Sequence, residues 1–448
     1  MFSRILITIA VFVGLVSALR GGGPERGPLR LTLKRSVELA LSPEGSAKIQ
    51  MATEEIRQAK AHSAEARSAL LPNLQGSVGE EQKMQSLGAL GLDALHLPFS
   101  LRIPSTVGPY SVMDVRATAT QSVFNFSSIR RFQAARAGVS VAQSAEKFTE
   151  DQVVAQVAHT YLAALRARAE LDTVKANVVL AEAILKQAQN QKDAGTGTAI
   201  DVTRARLQLS SENQRRLIVT NQYRRAHLEL MRAIGLNLDS EVELVDALAY
   251  VPVDSTTIEK AKESAFHSRS DFQTQVSREK AARLSGSAAK MERLPTVVSF
   301  ADYGTIGPGP YTSLLPTRTY GFAVEVPVFD GGREDAHRAA AESQAREEAE
   351  RTNDMREQIE LEIRLALESL QSSDEEIKVA DEGVRLADAE LTQARRRYDA
   401  GFSSSLEVTD AQTRLERALD NQVLALYNYN VARFDLGQAT GTIRSMIQ

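Results

Sequence analysis

The strongest constraint on this chain is an internal repeat at a spacing of 206 residues. Every seventh residue from Val157 reads Val157, Ala164, Leu171, Val178 and Leu185; adding 206 gives Ile363, Leu370, Ile377, Val384 and Leu391. A second row repeats in the same way, with Ala167, Val174, Ala181 and Ala188 against Ser373, Ala380, Ala387 and Ala394. Both stretches run into a glycine, Gly195 and Gly401. Two seams on a seven-residue repeat predict long helices packed lengthwise on neighbours. One seam is large and apolar, and the other is mostly alanine, which lets helix axes lie close. Chance heptads in an Ala- and Leu-rich helix do not explain a register shared by two distant segments.

The rest of the chain sets limits around that repeat. Its 448 residues carry a net charge of -4, so nothing draws it globally to nucleic acid. It has no cysteine, hence neither disulfides nor thiolate metal sites. Residues 1–18 read as a signal peptide: Arg4, an apolar run from Ile5 to Val16 that is short for a membrane span, then Val16-Ser17-Ala18 for cleavage. An uncleaved anchor is the other reading. Residues 19–30 are Gly-, Pro- and Arg-rich and read as a flexible leader. No later stretch predicts a transmembrane helix.

Each half then follows one plan. Leu31 to Leu41 is a short amphipathic opening, and Ser46 to Leu70 a polar, Ala-rich helix stopped at Leu71-Pro72. Ile258 to Glu292 reads as a single helix stopped at Leu294-Pro295. After each stop the period changes to two. Tyr320, Phe322, Val324, Val326 and Val328 alternate with Gly321, Ala323, Glu325 and Pro327, and Val115 to Val123 alternate more weakly. Strands are expected at about 73–82, 112–124, 296–303 and 319–328, with Pro327 marking a strand end. Long helices follow, then turns at 194–200 and 400–406, then return helices whose seam also repeats: Val202, Leu209, Tyr223 and Leu230 against Val408, Leu415, Tyr429 and Leu436. The short leading helix would complete each return helix into a second rod. The expected divisions are a first repeat at 31–236, a linker at 237–257 without an assigned fold, a second repeat at 258–441 and a tail at 442–448.

Four strands with one apolar face pose a problem. An open sheet leaves two edges and an oily surface. In a membrane the sheet must close, and four strands are too few for a barrel. Several copies are needed: two would give eight strands, three would give twelve, and the physics alone does not choose.

The two halves resemble the repeats of the TolC-like outer-membrane efflux protein family. The most specific likeness is YDAGFSSSLEVTDAQTRLERA at 398–418, with KDAGTGTAIDVTRARLQLSSE at 192–212 as its twin; LTLKRSVELAL at 31–41 and LLPNL at 70–74 are also similar. The resemblance implies an α+β membrane protein of two structural repeats, in which four strands per chain join a trimeric twelve-stranded barrel in the outer membrane. Long coiled-coil helices would form a periplasmic α-barrel. It implies a homotrimer embedded in outer-membrane lipid, acting as a passive exit duct for small molecules or protein. The partners it implies are a periplasmic adaptor and an inner-membrane transporter of RND, ABC or MFS type. Tyr320, Phe322, Val324 and Val326 would then face lipid.

The same resemblance places the helical turns at the periplasmic mouth. Gly195, Thr196, Gly197, Gly401, Phe402 and Ser403 would meet the adaptor. Glu407 and Asp410, three apart on one face, match the family's acidic constriction, although acids in a first helical turn also favour the helix dipole. Their twins are Asp201 and Arg204. Tyr398 resembles the family's gate tyrosine, or is a packing step of the seam. Where some members carry an arginine that clamps the partner's aspartate, this chain has Ser403, with Asp201 as the candidate aspartate and Arg204 or Arg206 as substitutes.

No catalytic constellation stands out, no cofactor is implied, and the six histidines show no metal-binding spacing. Two alternative readings are a periplasmic adaptor, which also carries a coiled-coil hairpin, and a pore-less coiled-coil scaffold. Neither explains the alternation from Tyr320 to Val328.

Overall fold

A computed structural model describes residues 29–42, 45–89, 105–253, 256–309, 314–400, 402–403 and 405–447. The expected signal peptide, nearly all of the expected leader and Gly401 lie outside the described residues.

The seams become two very long helices, α3 (Phe126–Asp193) and α7 (Arg333–Asp399), of 68 and 67 residues. Each spans about 100 Å at 1.5 Å per residue. Val157, Ala164, Leu171, Val178, Ala167, Val174, Ala181 and Ala188 are all buried on α3, as are Ile363, Ile377, Leu391, Ser373, Ala387 and Ala394 on α7. The return helices are α4 (Ala199–Ala233) and α8 (Ser405–Thr440), and the leading helices are α2 (Ala47–Ser68) and α6 (Ser270–Lys290). The helices lie as four rods in a curved wall: α2 with α4, then α3, then α6 with α8, then α7.

The composite rods are joined end to end by glycine. Gly235, just past α4, has φ +73°, and a Cβ there would lie 1.7 Å from the carbonyl oxygen of Gly45, which precedes α2. Gly441, 206 residues on, has φ +73° and abuts Ser268–Arg269 at the start of α6, with 2.8 Å to the Arg269 nitrogen. Only glycine supplies both the left-handed turn and the close approach.

Four strands form one antiparallel sheet. β1 (Leu29–Leu31) and β4 (Val242–Leu244) stand apart, and the sheet order is β2 (Asn73–Ser86), β3 (Thr106–Phe124), β5 (Thr296–Gly307) and β6 (Leu315–Glu325). Three strands run further than the alternation suggested, because hydrogen-bonded pairing continues into polar residues such as Lys83 and Gln85. The fourth is displaced, running from Leu315 and stopping at Glu325, so Val326 and Val328 lie beyond it. Pro327 has no amide hydrogen with which to extend the ladder.

Two further expectations are corrected. The helix expected over 258–292 is broken at Arg269, which adopts an extended backbone between α5 (Ile258–Ser268) and α6, followed by a 3-10 turn at Met291–Arg293. The guanidinium at the break is held by Asp271 and Glu362, at 2.7 and 2.6 Å. The linker also has a fold: β4 pairs in parallel with β1, drawing Leu29 and Arg30 out of the expected leader. Asp246 Oδ2 accepts from the Leu33 amide at 2.8 Å and from the Tyr161 hydroxyl at 2.8 Å, fixing the start of α1 (Leu33–Ala40) to α3. Burial and the Asp246 carboxylate raise the Tyr161 pKa, so the phenol stays a donor. The tail is docked as well: Ile443 is buried and Arg444 pairs with Glu150 and Asp151 at 2.8 and 2.6 Å.

Gly235 and Gly331 share a left-handed backbone, yet a Cβ at Gly331 meets nothing within 4 Å. Gly235→Ala should therefore lower the thermal unfolding midpoint by clearly more than Gly331→Ala, whose cost is backbone strain of about 1 kcal/mol or slightly more. Equal shifts, read by circular dichroism, would contradict the end-to-end joint.

Candidate functional site

The register of the sheet sorts its side chains into two faces. Rows running straight across one face read Leu74–Ala119–Ala301–Tyr320, Gly76–Ala117–Tyr303–Arg318 and Val78–Val115–Thr305–Pro316. Rows on the other read Gln75–Thr118–Asp302–Thr319 and Ser77–Arg116–Gly304–Thr317. In these rows the first face is apolar or small apart from Arg318; Phe322 and Val324 share it through Ser299 and Val297, and further along it also carries Gln121, Glu80 and Gln82. Tyr320 is 80% exposed and Phe322 76%, so this chain alone covers neither. The second face carries the ion pairs, with Arg116 bound to Asp302 at 2.5 Å and to Asp114 at 3.2 Å, alongside the apolar Val298, Phe300 and Ile306. Val326, beyond the strand end, belongs to neither ladder. The outer strands β2 and β6 each pair on one side only.

At the far end of the rods the two hairpin tips are built alike. α3 ends with the Thr196 and Gly197 amides both donating to the Gln191 carbonyl at 2.9 Å, around Gly195 at φ +74°. The equivalent bond in the second tip runs from the Phe402 amide to the Arg397 carbonyl at 2.8 Å. This is the wrap that satisfies the last carbonyls of a helix. The tips differ in surface, since Phe402, 80% exposed, stands where the first tip has Thr196.

Asp201 closes a capping box. Its carboxylate accepts from the Thr198 amide at 3.2 Å, while Thr198 Oγ1 accepts from the Asp201 amide at 3.3 Å. Arg204 approaches the same carboxylate at 4.0 Å. Asp201 is thus engaged within its own hairpin. Ser403 Oγ is buried without a hydrogen-bond partner among the described residues. Within the chain, the hairpins are tied instead by Tyr398, whose hydroxyl donates to Gln191 Oε1 of α3. Tyr398 also packs beside Leu391, Ala394, Val408 and Ala411, together with Leu180 and Ile184 of α3. It is both a seam residue and a cross-link.

Each candidate constriction acid faces an arginine. Glu407 pairs with Arg397 at 3.3 Å, and Asp410 lies 3.7 Å from Arg414, which also binds Glu390 at 2.5 Å. The hairpin fold brings Arg397, the last of three consecutive arginines, back onto α8. An open groove of about 930 Å³ runs between α7 and α8, floored by Ala380, Gly383 and Ala387. Among the described residues no grouping of His, Asp and Glu suits a metal ion, and no helix is long and apolar enough to cross a membrane.

The model of the outer membrane efflux protein family matches residues 40–236 and 263–442, most of the chain and both repeats. The chain belongs to the outer membrane efflux protein family. It is 23% identical over 373 residues to the pyoverdine export outer membrane protein OpmQ of Pseudomonas putida, covering 82% of this chain and 77% of that one. It is 22% identical over 271 residues to the toluene efflux pump outer membrane protein TtgF from another strain of the same species, covering 60% and 54%. Among solved structures, the outer-membrane channel OprN superposes with a TM-score of 0.78 at 17% identity, covering 92% and 90%. The outer membrane protein VceC of Vibrio cholerae gives 0.77 at 19%, covering 91% and 96%. The fold is therefore the TolC-like one. This efflux protein is an outer-membrane exit duct with a periplasmic helical tunnel, and its role is transport. The adaptor and scaffold alternatives do not survive the match.

Proposed function

We propose that three copies of this efflux protein close their sheets into one twelve-stranded barrel, with the four rods of each chain completing a continuous tunnel. The observation that carries the proposal is the open four-stranded sheet, with apolar rows exposed and edges β2 and β6 unpaired among the described residues. In lipid an unpaired edge costs several kcal/mol per orphaned group, so β6 of one copy meets β2 of the next. Exposed seams on the outer rods support the same arrangement: Leu365, Val379 and Leu386 on α7, and Ile200, Leu207 and Leu217 on α4, are left uncovered by the described residues of a single chain.

The tips are the entrance. Thr196, Gly197 and the exposed Phe402 meet a periplasmic adaptor, together with the intervening Gly401, and the α7–α8 groove accepts an adaptor helix on its floor of small residues. The adaptor links the duct to an inner-membrane transporter of RND, ABC or MFS type. Relatives named for pyoverdine and toluene support small organic molecules as cargo. Glu407 and Asp410, repeated by symmetry, narrow the mouth with a ring of acids, each tempered by its arginine.

Two experiments test this reading. Purified protein added to a planar bilayer should produce discrete current steps, and Glu407→Ala with Asp410→Ala should weaken block by divalent cations about tenfold, or ~1.4 kcal/mol. Unchanged block would remove the acids from the constriction. Phe322→Arg with Val324→Arg places two charges on the apolar face, each costing about 2–4 kcal/mol at mid-membrane, and should sharply reduce outer-membrane assembly. Normal yield of inserted protein would reverse the assigned facing.

A further inference from the structure

About 20 Å from the first tip, thirteen residues into α4, the helical wall contains a polar layer that the duct reading leaves unused. Glu212 of α4 and Glu416 of α8 are only 4% and 6% exposed. They belong to different hairpins, and Arg215 of the first hairpin reaches Glu416 of the second. Gln208 Nε2 donates to Glu212 Oε1 at 2.8 Å, and Gln412 Nε2 donates to Glu416 Oε1 at 3.2 Å. Among the described residues the layer holds one cation: Arg215 of α4 reaches Glu416 at 3.8 Å and binds Asp420 of α8. Two carboxylates of α8 thus share one guanidinium of α4.

Among the described residues no cation other than Arg215 is ion-paired with Glu212, Glu416 or Asp420. On α3, Asn177 is buried one turn tipward of Val174, and the charged pair Asp172 and Lys175 bond each other on the exposed side. On α7, Glu390 is taken by Arg414, which points away from the layer. Two buried acceptors, Glu212 Oε2 and Gln412 Oε1, have no donor among the described residues. No set of His, Asp and Glu among those residues is fit to hold a metal ion. A carboxylic proton supplies a donor that this layer lacks and removes the cost of burying a charged carboxylate.

We propose that Glu416, buried in the same layer as Glu212 and reached by a single guanidinium, takes up a proton and forms a proton-operated latch between the two hairpins, closed when Glu416 is protonated and loosened when it ionises. The electrostatics agree. Glu416 is pushed from its ordinary 4.5 to about 7, first by burial and then by Glu212 and Asp420, against the pull of Gln412 and Arg215. Glu212 is also raised, by burial first, with Arg215 and Gln208 opposing. Since the folded values lie above the ordinary one, the latch stabilises the seam fully below about 4.5 and loses that contribution as pH rises through about 7. A wall that loosens near its mouth at neutral pH and tightens in acid would couple entrance opening to periplasmic acidity. This inference rests on the tips being the entrance.

Because the chain has no cysteine, Gln214→Cys on α4 and Asn421→Cys on α8 would carry the only two spin labels in each copy. In the assembled, detergent-solubilised protein, the distance between these labels within a copy should lengthen by about 2 Å and broaden between about pH 5 and about pH 8. Glu416→Gln should hold the short distance across that range, and Glu212→Gln should move the transition to lower pH. A wild-type distance that ignores pH, or a transition that both substitutions leave in place, would overturn the latch. If one variant fails to assemble, the other decides. The label distances are independent of conductance: a protein that never conducts defeats the duct reading while still reporting on the latch.

Discussion

Everything in this molecule follows from the backbone hydrogen bonds that one chain cannot complete. In water, the outer N–H and C=O groups of β2 and β6 would be merely exposed; within lipid they have no alternative partner. The side-chain rows point the same way, since Tyr320 and Phe322 are left exposed by the described residues while the opposite face carries Arg116 paired to Asp114 and Asp302. The exposed apolar rows and the two edges unpaired among the described residues are what the proposed closure by copies would satisfy.

The helical wall solves a related problem with different chemistry. Four rods must stay in register over about 100 Å. The Ala167-Val174-Ala181-Ala188 seam lets α3 lie close to its neighbours, and the larger Val157-Leu171-Val178 seam fills the space beyond. Where a rod is made of two helices, glycine permits the junction: the Gly235 backbone touches Gly45, and that of Gly441 touches Ser268–Arg269. Between tip and junction, the same wall carries the polar layer of Glu212 and Glu416, a place where packing is conditional on charge rather than fixed.

The sequence made the repeated parts legible and hid the paired ones. Heptads and alternation are local periods, so the long helices, the four-stranded content and the return seams could all be read along the chain. Short elements were not legible. Three-residue strands such as β1 and β4 show no period, and their parallel pairing depends on partners distant in the chain, as in Leu29 against Val242. The break at Arg269 was hidden because its cause is tertiary, a guanidinium gripped by Glu362 of α7. Val326 continued the alternation on paper, but Pro327 ended the ladder sooner than expected. At the tips, positions were readable and partners were not: Asp201 turned inward to cap its own helix, and Tyr398 found Gln191 across the hairpins. Glu212 and Glu416 looked like ordinary polar helix residues until the fold buried them.

The most direct test of closure by copies is native mass spectrometry of the protein released from outer-membrane detergent micelles. The account predicts a single assembly of three chains that keeps its β-sheet signal as long as it stays associated. A stable, detergent-free single chain with that signal intact would show that the sheet needs no sister copies.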